Sequence, residues 1–558
     1  MGIDRSKLRW NGWGWAAHAD GVAARDEVWA WLAGELGMPT LLATPARPLE
    51  EITLAPSRLS DTERRVLATL LDADRVREDK YERAFHARGQ SYHDLLRLRA
   101  GDLSDAPDAV VYPRSADEVL KLLVFASEAN VAIVPYGGGT SVVGGVTPRT
   151  GSANAVITVD LSGLNRIERF DAEARTATVE AGIDGPALEK ALQSEGFTLG
   201  HYPQSFEFST PGGWIAHRGA GQQSNRYGRP EDWLVEAELA TPRGMLREGD
   251  FPASAAGPRL TDLIVGSEGV FGIVTRATVR LHPVPPVTEG RAWLFRDFAS
   301  GASAIRQAVQ SEVPISMLRL SDAEETRFYR AYAQVGASRS WWQRAEQQFL
   351  RMRRYEQPCV LIAQFEDAQT VVNSAKQQLA RIARQHGGMP LGSGPAERWR
   401  EGRFHGPYLR DPMLDRGLGV DTLETATGWS KLQGLYAAVK AALESAIAAS
   451  APRPGAKGIV MCHISHSYPD GASLYFTFIF PRALNGDDVA QWQAIKRAAS
   501  DAIIAHGGTI SHHHGVGEDH LPWMAQEKGT LGLEVLRAIK RTLDPKGILN
   551  PGKLLPPG

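Results

Sequence analysis

The 558-residue chain has only two cysteines, Cys359 and Cys462. That excludes a disulfide framework and a cysteine-ligated iron–sulfur set. Charge of one sign is also lacking. Lys+Arg is 62 and Asp+Glu is 64, a formal charge of -2. No electrostatic case for a nucleic-acid partner follows. No apolar run reaches the length of a membrane span. The opening "MGIDRSKLRW" lacks the apolar core of a secretory signal, and the ending "LPPG" is not a peroxisomal address. A reducing, cytoplasmic setting is the expectation. Internal repeats and long low-complexity tracts are missing too. The length exceeds one ordinary core, so two or three domains are expected. The 43% hydrophobic and 23% charged composition fits a globular enzyme.

Tryptophan, in contrast, is plentiful at fourteen residues, with Trp10, Trp13, Trp15, Trp29 and Trp31 clustered early. Packing against a larger body is the plain reading. An interfacial role is open, because the indole tolerates a membrane surface. "TERRVLATLLDADRVRED" carries apolar residues at helical spacing, so residues 1–100 read as a helical N-terminal region.

From about residue 107 strands and helices alternate. "DAVVYP" and "VAIVP" read as strands around a helix, "SADEVLKLLVFASEAN". Ser115 and Glu118 form a capping-box pattern at its start. This region runs to the prolines Pro283, Pro285 and Pro286, giving a domain of 101–287. A second α/β region of 288–510 holds the strand formers "GIVMCHISH" and "SLYFTFIF". A segment of 511–558 closes the chain.

Three glycine-rich stretches stand in the first region. "VPYGGGTSVVGG" delivers a strand into Gly137, Gly138 and Gly139, then Thr140 and Ser141. A backbone without Cβ atoms can approach an anion and aim N–H groups at it, which suits a diphosphate. The stretch is neither a Walker loop nor the Rossmann fingerprint. "SFEFSTPGGWIAHRGAGQQSNRYG" has little to build a core and is expected to wrap a flat ligand. "LIVGSEGVFGIVTRATVRL" reads as strand-like, with Gly266, Gly269 and Gly272 every third residue and one carboxylate, Glu268. Three such stretches point to a large, extended cofactor.

The run "SHHHGVGEDH" supplies His512, His513 and His514. Imidazole exchanges protons near neutral pH, so a base is one reading. If extended, the run would point His512 and His514 one way and His513 the other. A metal site would need further ligands, which His463 and His466 could offer. Tyr475 sits on what also reads as an ordinary alternating strand face.

Taken together, "VPYGGGTS", "FSTPGGW", "GSEGVFGIVT" and "DPKGILNPGK" resemble the flavin-binding fold of the vanillyl-alcohol-oxidase superfamily. "RWNGWGW", "MLRLSD", "YLRD", "CHISHSYPDGASLYFTF" and "SHHHGVG" narrow the resemblance to the alkyldihydroxyacetonephosphate synthases, over nearly the whole chain. The resemblance implies an α+β fold of two FAD-binding subdomains with an α/β cap, the helical N-terminal extension, and 511–558 returning to the flavin. It implies FAD held at Pro135, Tyr136, Gly137, Gly138, Gly139, Thr140 and Ser141. Further contacts would come from Gln204, Ser205, Ser209, Thr210, Gly212, Gly213, His217 and Ala220. Glu268, Gly269, Gly272, Ile273 and Val274 complete the set. Tyr136 stands where some relatives carry a histidine, so no covalent link is expected there.

By the same resemblance the activity is exchange of the acyl group of an acyl dihydroxyacetone phosphate for a fatty alcohol. Tyr475 would be the acid, His513 and His514 with His512 the proton-handling group. Arg410 would hold the fatty carboxylate and Arg319 would stand near the flavin. The alternative is an FAD-linked oxidoreductase of a 2-hydroxy acid or other alcohol. Some features depart from the family pattern. Glu518 follows the histidines where a basic residue is expected, and Gln204 stands for an acid. An acid at 518 would oppose a phosphate if it faced the pocket. A basic, tryptophan-bearing stretch at 338–354 would suit peripheral membrane contact. A homodimer is the expectation by analogy.

Overall fold

The computed structural model describes residues 3–17, 25–336 and 355–557, with positions 348, 350, 352 and 353 between them. Three larger sheets organise it, beside a two-stranded one of Phe197–Thr198 and His282–Pro283. The first has the order Val76–Arg77, Ala109–Val111, Ala155–Asp160, Val131–Tyr136, and its last three strands are parallel. These strands are buried on both faces, which explains their unbroken apolar runs. Helix Ala116–Ala129 connects them. Ser115 caps its N-terminus, but Glu118 reaches the N–H of Arg114 rather than that of Ser115. The C-terminal tail pairs with the open edge: Ile133 donates to Ile548 and Asn550 donates back to Ile133, each at 2.8 Å.

The second sheet is antiparallel, ordered Ile167–Asp171, Thr176–Glu180, Ile273–Arg280, Leu234–Thr241, Gly244–Leu246. The third has seven antiparallel strands, from Met389–Gly392 through Val287–Phe295, Cys359–Asp367, Met317–Ser321, Ile459–Ile464 and Gly471–Pro481 to Leu418–Gly428. Leu418–Gly428 and Gly471–Pro481 pair over eleven residues, which sets Glu424 opposite Tyr475. Helices Phe298–Gln310, Gln369–Gln385, Leu432–Ala449 and Asp488–Ala505 bury their apolar stripes in this sheet's core. Each larger sheet has its own apolar cluster.

Several local expectations change. The segment 205–228 is not an open wrap. Pro211–His217 is a helix with Thr210 at its N-cap and proline at its first turn, and Trp214 and Ile215 are core residues. The stretch from Leu263 is a strand only from Ile273. Before it, Gly266, Glu268 and Gly269 all have positive φ, which no strand allows. The N-terminal region has short helices, Asp26–Glu35, Asp61–Leu71, Lys80–Phe85 and Tyr92–Ala100, the first two separated by a long, largely irregular stretch and the others by short connections. The 338–354 stretch lies almost wholly outside the described residues. Among the described residues no helix is long and apolar enough to cross a membrane.

Candidate active site

One cavity of about 1380 Å³ runs between the first two sheets and the inner face of the seven-stranded sheet. All the cofactor-class residues inferred from sequence line it: Pro135–Ser141, Gln204, Ser205, Ser209, Thr210, Gly212, Gly213, His217, Ala220, Glu268, Gly269, Gly272, Ile273 and Val274. Tyr475, His513, His514, Arg319 and Arg410 line it too. His512 does not.

The glycine loop is a cradle that a side chain would fill. A Cβ on Gly138 would stand 1.8 Å from the Phe208 carbonyl oxygen, and one on Gly139, at φ +68°, would stand 1.9 Å from the Tyr136 hydroxyl. Among the described residues the N–H groups of Gly138, Gly139, Thr140 and Ser141 have no acceptor. Glycines pressed from behind, with free donors in front, fit the diphosphate of FAD. The N-terminal arm fixes the loop: Arg5 donates to the Gly137 carbonyl at 2.6 Å and pairs with buried Asp160.

The histidine run is not extended. It wraps around the Glu424 carboxylate, which accepts the backbone N–H of His512 at 2.6 Å, His513 at 3.0 Å and His514 at 2.8 Å, and the Ser511 hydroxyl at 2.8 Å. Glu268 takes the next two, Val516 at 2.5 Å and Gly517 at 2.7 Å. Its carboxylate is therefore engaged by this loop. Two carboxylates, one from each side of the cavity, hold five consecutive donors apart from Gly515, whose N–H goes to Ser511. Burial opposes ionisation of Glu424, but the three histidines and its backbone donors keep it well below the ordinary carboxylate range.

Because the run curls, His513 and His514 both reach the cavity, and the alternation expected of an extended run fails. His512 turns behind them, its Nε2 2.7 Å from Tyr468 Oη and its Nδ1 2.9 Å from His513 Nδ1. Ring nitrogens of His466, His512 and His513 lie within 4.8 Å of one another, but both nitrogens of His512 already have these partners. Burial lowers the pKa of all three histidines of the run. They are thus neutral near pH 7 and offer a lone pair.

Tyr475 lies between the His463 ring, stacked at 4.9 Å, and the rings of His513 at 6.0 Å and His514 at 5.5 Å. Burial pushes its pKa up to about 12, so the phenol keeps its proton. Arg319 bonds Glu325 at 2.9 Å, and Glu325 bonds His463 Nδ1 at 3.0 Å. Burial works against the Glu325 charge, yet Arg319 and His463 bring its pKa to about 2. Arg410 donates to the Gln90 carbonyl and has no carboxylate partner among the described residues, which leaves it open to an anion.

The N-terminal tryptophan motif packs against Tyr408 and Asp411, on either side of Arg410 in the chain. Trp13 donates its N–H to Asp411 at 2.9 Å, and Cβ atoms on Gly12 or Gly14 would strike Asp411 and Tyr408. One branch of the cavity is apolar, lined by Trp29, Trp31, Leu32, Phe328, Met413 and Ile479. Glu518 faces away: it bonds Arg149 at 2.7 Å and Lys553 at 2.6 Å and is not a lining residue, so the feared repulsion of a phosphate does not arise. Glu424, Glu325, Tyr468 and the bonds of Glu268 to the histidine loop were not read from sequence. Lone acids and a tyrosine in strands and turns carry no local signal.

Known proteins agree with this geometry. A family model described as an FAD binding domain matches residues 107–250, and one described as FAD linked oxidases, C-terminal domain, matches 284–554. The alkyldihydroxyacetonephosphate synthase of Dictyostelium discoideum is 37% identical over 530 residues, 94% of this chain and 86% of that protein. A solved alkyldihydroxyacetonephosphate synthase superposes with a TM-score of 0.84 at 33% identity, covering 99% of this chain and 100% of that one. The p-cresol methylhydroxylase structure, at 17% identity and a TM-score of 0.66, covers 90% of this chain and 98% of its own and shows the shared fold. The chain belongs to the alkyldihydroxyacetonephosphate synthase family, within the vanillyl-alcohol-oxidase superfamily of FAD-binding proteins.

Proposed function

We propose that this protein exchanges the acyl group of an acyl dihydroxyacetone phosphate for a fatty alcohol, forming an ether lipid with FAD held non-covalently. The observation that carries the reading is a single cavity. It joins the glycine cradle, a neutral histidine pair, a protonated tyrosine, an arginine with no carboxylate partner among the described residues, and an apolar branch. In the exchange, the bond from the ketone-adjacent carbon to the acyl oxygen breaks. The alcohol oxygen takes its place, and the alcohol's proton leaves with the fatty acid.

Bound FAD would supply a ring that can take up and return an electron pair, so the exchange ends with no net redox change. The chain's residues handle the rest. His513 or His514, kept neutral by burial, takes a proton from the ketone-adjacent carbon. Tyr475, still protonated, donates a hydrogen bond to the departing carboxylate. Arg410 holds that carboxylate, because a guanidinium with no carboxylate partner among the described residues can fork onto two oxygens. Arg319 and His463 both bond Glu325, which holds the His463 ring stacked on Tyr475 in register. Trp29, Trp31 and Phe328 shelter the alkyl chains from water.

The test uses a fatty alcohol labelled with oxygen-18. Full retention of the label in the ether supports the exchange. Oxidation of the alcohol or of a hydroxy acid, with no ether formed, would support the oxidoreductase reading. We further propose a domain division of 1–100, 101–287, 288–510 and 511–558, a homodimer, and peripheral membrane contact through 338–354. Cosedimentation with anionic vesicles, lost when that stretch is made neutral, checks the last.

A further inference from the structure

We propose that His513, His512 and Tyr468 form a proton relay from the cavity to the protein surface, with His512 and Tyr468 acting as positioning residues for the tautomer of His513. The relay rests on the exchange reading above and deepens it.

The geometry leaves few alternatives. His513 Nδ1 faces His512 Nδ1 at 2.9 Å, so a single proton lies between them. His512 Nε2 faces Tyr468 Oη at 2.7 Å, so a single proton lies there too. Only Nε2 of His513 is left for the cavity. His513 lines the cavity, His512 and Tyr468 do not, and Tyr468 is partly exposed. The three groups therefore lead from the cavity-lining His513 outward to a half-buried tyrosine.

Its two proton arrangements give His513 opposite roles. If Tyr468 donates to His512, then His512 donates to His513, and His513 presents Nε2–H to the cavity as a donor. If His512 donates to Tyr468, then His513 donates to His512, and Nε2 presents a lone pair as a base. One cycle converts the second arrangement into the first. The substrate carbon gives a proton to His513 Nε2. The Nδ1 proton of His513 passes to His512 Nδ1, and the Nε2 proton of His512 passes to Tyr468 Oη. Tyr468 releases its own proton to solvent water. One proton enters, one leaves, and no imidazolium persists in a buried site. The reverse transfer resets the relay.

Neighbouring groups fit this work. The His466 ring stacks on His512 at 4.9 Å, and its Nδ1 is occupied by the Ser224 hydroxyl at 2.7 Å. Arg229 donates to the His512 carbonyl at 3.0 Å and is also a hydrogen-bond partner of the Tyr468 hydroxyl, which accepts from it, while Glu231 and Asp232 act on Tyr468 only through their charge. Glu424 holds the backbone of both histidines, so the rings are positioned independently of Tyr468.

The Tyr468→Phe variant tests the relay. The backbone bonds of residue 468, to Gly471 and from the Trp429 indole, do not involve the hydroxyl. Without that hydroxyl an Nε2–H on His512 has no acceptor, so the proton settles on Nδ1 and His513 is locked as the Nε2–H donor. We expect kcat to fall ten- to a hundredfold, with KM and FAD content unchanged, and to be restored in part by added imidazole buffer. In protein labelled with nitrogen-15 histidine, His513 should show both neutral tautomers in the parent and only Nε2–H in the variant. An unchanged kcat, a loss that imidazole does not relieve, or an unchanged His513 tautomer would overturn the proposal. If Tyr468→Phe fails to fold, His512→Asn cuts the link to Tyr468, with the same fall in kcat and the same partial relief by imidazole expected. Should the parent form no ether at all, the exchange reading fails, and the nitrogen-15 comparison still decides the relay.

Discussion

At the scale of single residues, the site depends on which groups stay neutral. Tyr475 and the buried histidines hold the forms that acid–base chemistry at neutral pH requires, and burial is the main cause. The Tyr475→Phe variant should bind FAD normally and lose fatty-acid release by at least a hundredfold, in the range typical of a lost general acid. Release measured by mass spectrometry checks this, and unchanged release would remove Tyr475 from the mechanism. Gly138→Ala should be more damaging to the cofactor than to the fold. Its Cβ would meet a backbone carbonyl at 1.8 Å, which cannot move aside as a side-chain end would. FAD content, read from the flavin absorbance of purified protein, should fall at least tenfold; a fully yellow variant would argue against the cradle. Both residues were legible in the sequence, because glycine triplets and a family motif mark them. The tautomer of His513 was not, since Tyr468 lies 45 residues away and acts on it only through the ring of His512.

Among the elements, the histidine loop is defined by what it surrounds. Glu424 comes from strand Leu418–Gly428 and Glu268 from a turn between helix and strand, and together they satisfy the loop's backbone donors. A carboxylate accepting several N–H groups is worth about 1.5–3 kcal/mol for each charged hydrogen bond. Glu424→Gln replaces one acceptor oxygen by a donor that opposes those N–H groups. It should lower kcat about a hundredfold and raise proteolytic cleavage near 511–517. Wild-type kcat in that variant would contradict the loop's dependence on Glu424. The strands that carry His463 and Tyr475 were readable from their strand-forming residues, whereas the strand that carries Glu424 was not read and the turn that carries Glu268 was taken as strand-like. The curl of the loop was not readable either. Three histidines in a row look extended until a buried carboxylate from another strand gathers their amides. The helix Pro211–His217 was likewise hidden by its glycines, although Thr210 and Pro211 form an ordinary start signal.

Across the whole molecule, buried titratable groups tie stability to pH. Burial pushes His201 down to about 3 and His520 down to about 4. The unfolded chain takes protons at these residues below about pH 6.5, while the folded chain refuses them. Their stabilising effect is thus complete above pH 6.5 and is lost as pH falls toward 4 and 3. Glu325 and Glu518, held near 2 by cations that outweigh their burial, add to the loss below about pH 4.5. Urea denaturation at pH 8, 6, 5 and 4 should show a plateau and then a steady decline. Constant stability down to pH 4 would contradict these assignments.

The fold as a whole brings a cofactor cradle, proton-handling groups and an apolar branch into one cavity, and the central claim is that electrons do not leave it. The most direct test mixes the yellow protein anaerobically with an acyl dihydroxyacetone phosphate and a fatty alcohol, with no electron acceptor. The account predicts many turnovers per FAD, with one fatty acid released for each ether formed and the flavin oxidised at the end. A single turnover that leaves the flavin reduced would contradict it and identify a dehydrogenase.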